Sequence, residues 1–294
     1  VKITAPDVAL VFEGGGMRAS YSSGVLNALL EAEVFTGWVG GISAGSSCTA
    51  NYLIRDQLRA KKSFTDFARE DQFGGLSHWL RGKGFFNAEW IYEQTSDEHQ
   101  PLPYRFDRFQ ENPTQLGIGA VRCSDGEMVY WTRDDIGTRV DLMKRVRASS
   151  TMPLLMPWTT IDGVDYCDGA LGPTGGFAHD AALAAGFERL IVVTTRPRKY
   201  VKQPQRGGRA MRAALKRYPA VAEGLFARAA NYNRAREELL DLERDGRAYL
   251  VFPEHMPITN SERNVAKLQV MYQAGLAQGR REMGRIKDFA GLVD

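Results

Sequence analysis

Apolar positions along this 294-residue chain follow two rhythms. Short unbroken runs of aliphatic and aromatic residues alternate with longer stretches in which apolar residues return every three or four positions. Val8-Ala9-Leu10-Val11-Phe12 is such a run, and it predicts a strand buried on both faces. A helix-period stretch follows over Tyr21–Glu31, with Tyr21, Val25, Ala28 and Leu29 on one face. Trp38–Ile42 predicts a second strand and Ala44–Arg55 a second helix. This βαβα opening implies an α/β fold, with a mostly parallel central sheet and helices on both faces.

The alternation continues downstream. Gln115–Val121 and Met128–Thr132 read as strands joined by a turn at Asp125-Gly126. Leu142–Ser149 reads as a helix running into a turn at Pro153 and Pro157. Ile161–Cys167 looks like a hairpin turning at Asp162-Gly163. Leu190–Thr195 is strongly β-branched and suits a sheet centre. Tyr249–Phe252 predicts a further strand and Asn264–Ile286 a closing helix. Neither an internal repeat nor a low-complexity linker interrupts the pattern, so a single domain over 1–294 is expected, with 44% hydrophobic residues to fill its core.

The strand-to-helix junctions carry the chemistry. Ser43 is the centre of Gly41-Ile42-Ser43-Ala44-Gly45, between the second strand and the second helix. A turn of this kind strains its central residue, and flanking glycines remove the Cβ atoms that would clash. The hydroxyl is then held at the N-terminus of a helix, whose dipole favours an attacking oxyanion. The pentapeptide alone is a weak motif.

The first junction is Glu13-Gly14-Gly15-Gly16-Met17-Arg18. Consecutive glycines let backbone N–H groups converge into an anion site, which acyl transfer needs for its tetrahedral intermediate. Gly14, Gly15, Gly16 and Arg18 are therefore candidates for an oxyanion hole, Arg18 also for a lipid phosphate. Gly14-x-Gly16-x-x-Ala19 fits a dinucleotide fingerprint as well. That alternative, an oxidoreductase, expects an acid at the end of the second strand, where Ile42 and Ser43 stand.

A third feature is Asp168-Gly169-Ala170, directly after the hairpin. An Asp-Gly pair is commonly only a turn. In the order glycine turn, serine elbow, Asp-Gly-Ala, however, the chain resembles the patatin-like phospholipase family from about Val8 to Lys202. Arg147-Ala148-Ser149-Ser150-Thr151-Met152-Pro153 is similar to that family's block between nucleophile and base. The resemblance implies a three-layer sandwich, Ser43 as nucleophile and Asp168 as base. It implies no cofactor and no metal. The chain departs from it at Glu13, where many members have aspartate, at Ala19, where many have glycine, and at the looser Pro173-Thr174-Gly175-Gly176. A histidine base is the competing arrangement; of His78, His99, His179 and His255, only His179 falls near Asp168, at a predicted helix start.

Charge and composition refine the picture. The formal net charge is +3, yet Arg196–Arg217 holds nine Lys or Arg and no acid, so the remainder of the chain is net acidic. Such a segment is solvated surface or a contact for anionic headgroups. Only Tyr200 and Tyr218 are aromatic there and no nucleic-acid motif accompanies them, which excludes nucleic acid as the expected partner. Phe64–Phe109 is rich in aromatics broken by Gly74, Gly75, Gly82 and Gly84, and is either core or a wall or lid for an acyl chain. Cys48, Cys123 and Cys167 have no metal-like spacing and point to a reducing compartment. No run of eighteen apolar residues occurs and no signal-peptide pattern opens the chain. Because the first residue is Val1, trimming of a leader stays open. The expectation is a cytoplasmic lipid acyl hydrolase, a serine esterase acting on phospholipids or lysophospholipids, peripheral at an anionic membrane. A catalytically silent membrane adaptor keeping only the fold is the third reading.

Overall fold

The computed structural model describes residues 1–70, 87–205 and 207–292. His78, Phe73, Trp79, Phe85, Phe86 and the four glycines of the aromatic stretch, together with Arg206 of the basic stretch, lie outside the described residues. One eight-stranded sheet organises the chain: β1 (Ala5–Phe12), β2 (Thr36–Ile42), β3 (Gln115–Arg122), β4 (Met128–Trp131), β5 (Thr159–Ile161), β6 (Val164–Asp168), β7 (Arg189–Val193) and β8 (Ala248–Val251). Strands β3-β2-β1-β7-β8 are parallel, while β4, β5 and β6 pair antiparallel. The helices are α1 (Ala19–Glu31), α2 (Ala44–Leu53), α3 (Gln57–Phe64), α4 (Ala88–Tyr92), α5 (Phe106–Glu111), α6 (Arg139–Ser150), α7 (His179–Ala184), α8 (Gly208–Ala214), α9 (Pro219–Arg244) and α10 (Val265–Ala290).

Strand β1 explains the three layers. Its side chains alternate, so Val8, Leu10 and Phe12 enter one core with Leu26 and Leu29 of α1. Ala9 and Val11 enter the other, with Phe177 and with Tyr232 and Leu239 of α9. Helix α1 is buried on every side from Ala19 to Leu30, because α10 lies directly on it. Glycines permit that approach: a Cβ on Gly275 would collide with the Tyr21 carbonyl, and one on Gly24 with the Tyr272 carbonyl.

Both predicted hairpins form. Asp162 and Gly163 have φ of 51° and 78°, the left-handed pair that a two-residue turn between β5 and β6 requires. The closing helix runs four residues beyond the expected Ile286, to a left-handed cap at Gly291. Helix α9 has no counterpart among the sequence expectations. Its buried face is built from Ala222, Ala229, Ala235 and Arg236 as much as from Val221, Tyr232 and Leu239, so the apolar stripe is faint.

Two consequences position the site. The strand order reverses at β1, with β2 on one side and β7 on the other, and ligands of open α/β sheets bind beyond the strand ends at such a point. Strand β3 also meets three partners. β4 and β2 both pair with Ile118 and Gly119, and β4 and β6 both pair with Ala120 and Val121. A strand has only two edges, so β2 and β6 lie end to end along one edge of β3. Ile42 pairs with Gly119 and Asp168 with the adjacent Ala120.

Candidate active site

Ser43 follows the last residue of β2 and caps α2 with φ 57° and ψ −127°, a conformation few side chains adopt. The turn is closed by contact between its glycines. A Cβ on Gly41 would strike the Gly45 backbone, and one on Gly45 would strike the Phe12 carbonyl at the end of β1. The Ser43 N–H donates to Ser149 Oγ at 2.8 Å, and Ser149 Oγ in turn donates to the Gly119 carbonyl at 2.5 Å. These bonds anchor the elbow to β3.

Because β6 continues the line of β2, Asp168 meets this elbow across 125 residues of sequence. Ser43 Oγ donates to Asp168 Oδ2 at 2.8 Å, and Asp168 Oδ1 accepts the Ala170 N–H at 2.8 Å. Both side chains are buried, with Asp168 at 6% exposure. Burial pushes the Asp168 carboxyl above the ordinary carboxylate value. Arg228 of α9 opposes that rise most, followed by the Ala170 N–H, the Ser43 hydroxyl and Lys202. His179 does not take part. Its Nε2 lies 3.2 Å from Glu238 Oε2 and its ring packs edge-on to Phe177.

The glycine turn brings one correction. The Gly14 N–H donates to the Gly176 carbonyl at 3.0 Å, so it is not a donor for an oxyanion. Gly14 instead lets the turn touch the elbow, since a Cβ there would lie 3.1 Å from the Ser43 Cβ. The N–H groups of Gly15 and Gly16 have no partner among the described residues. Gly16 holds φ 55° and the Met17 N–H is pinned by the Asn260 carbonyl at 2.9 Å. Glu13 ties the strand ends together. Its carboxylate accepts the Thr195 N–H at 2.5 Å and the Tyr232 hydroxyl at 2.8 Å. Arg18 is 7% exposed, and burial, with Arg196 adding to it, pulls its pKa down to about 10.

A cavity of about 290 Å³ opens beside this group and includes Gly14–Arg18, Ser43 and Asp168 in its walls. Its apolar side is lined by Phe64, Phe67, Ile91, Leu102, Met143 and Val146. The described part of the aromatic stretch thus divides between the two expected roles. Phe64, Phe67 and Tyr92 reach the cavity, while Trp90, Tyr104 and Phe109 are core. Residues the sequence reading assigned no role also converge here: Arg228 and Asn260 in the wall, Tyr232 on Glu13, and Ser149 under the elbow. Arg228 and Tyr232 sit on α9, whose faint periodicity concealed them.

A family described as patatin-like phospholipase matches residues 10–178. The chain belongs to the patatin-like phospholipase family. Residues 218–291, which contribute α9, β8 and α10, match a domain of unknown function. A curated Escherichia coli (strain K12) relative, the uncharacterized protein YjjU, is 25% identical over 204 residues. That match covers 67% of this chain and 54% of the relative, so the chain spans about half the length of the curated relative it matches. Among solved structures, human GIVD cytosolic phospholipase A2 in complex with methyl gamma-linolenyl fluorophosphonate superposes with a TM-score of 0.50 at 12% identity. It covers 98% of this chain and 58% of its own, and shares the fold. VipD from Legionella pneumophila gives 0.47 at 13% identity, over 95% of this chain and 66% of that one. No described helix is long and apolar enough to cross a membrane.

Proposed function

We propose that this patatin-like protein cleaves carboxylic esters of phospholipids or lysophospholipids, with Ser43 as nucleophile and Asp168 as its base. The observation that carries this reading is the 2.8 Å bond from Ser43 Oγ to a buried Asp168 on the wall of an apolar cavity. Ser43 Oγ attacks the ester carbonyl carbon while its proton passes to Asp168. The carbonyl oxygen becomes an oxyanion facing the N–H groups of Gly15 and Gly16, with Arg18 adding positive charge. Collapse releases the lipid alcohol, which takes the proton from Asp168, and leaves an acyl-serine. Water, deprotonated by Asp168, then frees the fatty acid and restores the serine. A fluorophosphonate probe tests the reading directly. Labelling at Ser43 together with fatty acid release is expected, and an unlabelled, well-folded protein overturns it.

His179→Ala keeps most of the wild-type turnover, since its imidazole faces Glu238 rather than the dyad. A loss of about a thousandfold, the scale of removing a triad member, would move the base to a histidine.

Membrane entry has support in an exposed apolar loop of the cavity wall. Met152, Pro153, Leu155 and Met156 line the cavity, and Leu154 and Leu155 are 47% and 42% exposed. Trp158 continues this apolar loop and packs edge-on against Tyr218, 5.2 Å between centroids. Next to Tyr218 begins the basic stretch, whose Arg209, Lys216 and Arg217 are exposed. An apolar tip beside cations suits an anionic lipid surface, where each well-placed cation contributes about 1 kcal/mol. Arg209→Glu with Lys216→Glu is expected to weaken binding to phosphatidylglycerol vesicles about tenfold or more at low salt. Wild-type binding itself should weaken as salt rises. Vesicle sedimentation in which the reversed protein binds like wild type would reduce the stretch to ordinary surface.

A further inference from the structure

Four cations from separate parts of the chain lie within electrostatic reach of one another. Arg18 follows β1, Arg196 and Lys202 follow β7, and Arg228 projects from α9. Arg18 and Arg228 line the same cavity as Ser43 and Asp168. The Lys202 backbone is fastened to α9 by reciprocal bonds with the Asn233 side chain, at 2.9 and 3.0 Å. Gly15 rests directly on Thr195, the neighbour of Arg196, since a Cβ there would lie 2.6 Å from Thr195 Oγ1.

None of the four forms an ion pair among the described residues, and the buried Nε atoms of Arg18, Arg196 and Arg228 have no hydrogen-bond partner there. The two acids within reach are already engaged. Glu13 accepts from Thr195 and Tyr232, and Asp168 accepts from Ser43 and Ala170. The cations repel one another. Burial first and then Arg228 lower Lys202 to about 8, with Arg18 and Arg196 pushing the same way. Disfavoured ionisation of this kind, next to two arginines that line the cavity, marks a place suited to a ligand of opposite charge.

We propose that Arg196, Lys202 and Arg228, with Arg18, form a phosphate subsite beside Ser43, and that the substrate is a lipid ester bearing a phosphate monoester. The proposal rests on the ester-hydrolase reading and narrows its substrate class. A monoester is dianionic near neutral pH and offers three oxygens to guanidinium forks and an ammonium. A headgroup with a quaternary amine finds no counterpart beside these cations among the described residues. Neither acid is free, and the Tyr200 and Tyr232 faces are covered by Arg196 at 4.4 Å and Lys202 at 4.5 Å.

The test compares kcat/KM of the full chain, below micelle-forming concentrations, for lysophosphatidic acid, lysophosphatidylcholine and monoacylglycerol of one acyl length. The phosphate monoester is expected to exceed the other two at least about tenfold, and Lys202→Gln with Arg228→Gln to erase most of that ratio. Arg196→Gln alone serves if the double variant does not fold. Equal ratios across substrates, or a preference that survives both sets of variants, overturns the proposal. Inorganic phosphate forms the second arm. It should compete with a neutral short-chain ester in wild type and do so several-fold more weakly in the variants. Inhibition by phosphate without preference for the phosphorylated lipid assigns the pocket to free phosphate and overturns the lipid headgroup. Fluorophosphonate labelling separates the two layers. A labelled Ser43 without headgroup preference sinks only the subsite, whereas an unlabelled protein that cleaves no ester sinks the hydrolase reading.

Discussion

Ser43→Ala lowers turnover of a lipid ester by at least about a thousandfold while circular dichroism stays that of wild type. The side chain is small and its hydroxyl bonds only outward to Asp168, so the fold loses little with it. Asp168→Asn removes the proton acceptor but keeps the shape, and a loss of similar order is expected. Near-wild-type turnover in either folded variant would sink the dyad. The pH profile adds a second readout. Asp168 works as a base only when ionised, and burial holds its pKa above the ordinary carboxylate range. The rate therefore rises as pH climbs through that raised value. Arg228→Gln removes the largest charge opposing the rise, so the acid limb should move to higher pH. A limb that moved to lower pH would contradict the assignment of the base.

Gly275→Leu is expected to cost at least about 3 kcal/mol of stability, the upper range for overpacking, and about 6–12 °C in Tm. The new side chain meets the Tyr21 backbone carbonyl, an atom that cannot rotate away, and it pries α10 from α1. Gly284→Ala on the same helix is the control. Nothing lies within 4 Å of its added methyl, and alanine favours the helix by about 0.5–1 kcal/mol. Thermal melts in which both variants resemble wild type would show that the α1–α10 contact carries little of the stability.

Much of the site was legible because its geometry is local. Val8–Phe12 of β1 is a continuous apolar run and β2 is buried throughout, and Ser43 and the glycines stand at their ends, so the elbow and the turn could be read from order alone. Asp162-Gly163 and Asp125-Gly126 each marked a hairpin through a residue that accepts positive φ. What could not be read is set by partners far away in sequence. The Gly14 N–H is engaged by Gly176, which no pattern around Gly14 announces. Lys202 belonged to a stretch defined by its charge, and its attachment to Asn233 on α9, 31 residues away, has no signal in that stretch. Arg228 and Tyr232 lie on a helix whose buried face is largely alanine, where hydrophobic periodicity carries little contrast.

The end-to-end placement of β2 and β6 along β3 makes that strand a ruler for the proposed dyad. The separation of Ser43 from Asp168 is counted in backbone hydrogen bonds, from Gly119 to Ala120, rather than in the fit of core side chains. Cores on either side of the sheet can therefore change their side-chain mix over evolutionary time while the pair keeps its spacing. Deleting one residue of β3 at this junction is different. It would slide one partner past the other by about 3.4 Å, more than the length of the bond that joins them. Tolerance to substitution in the flanking cores and intolerance to deletion in the strand thus meet at one short element.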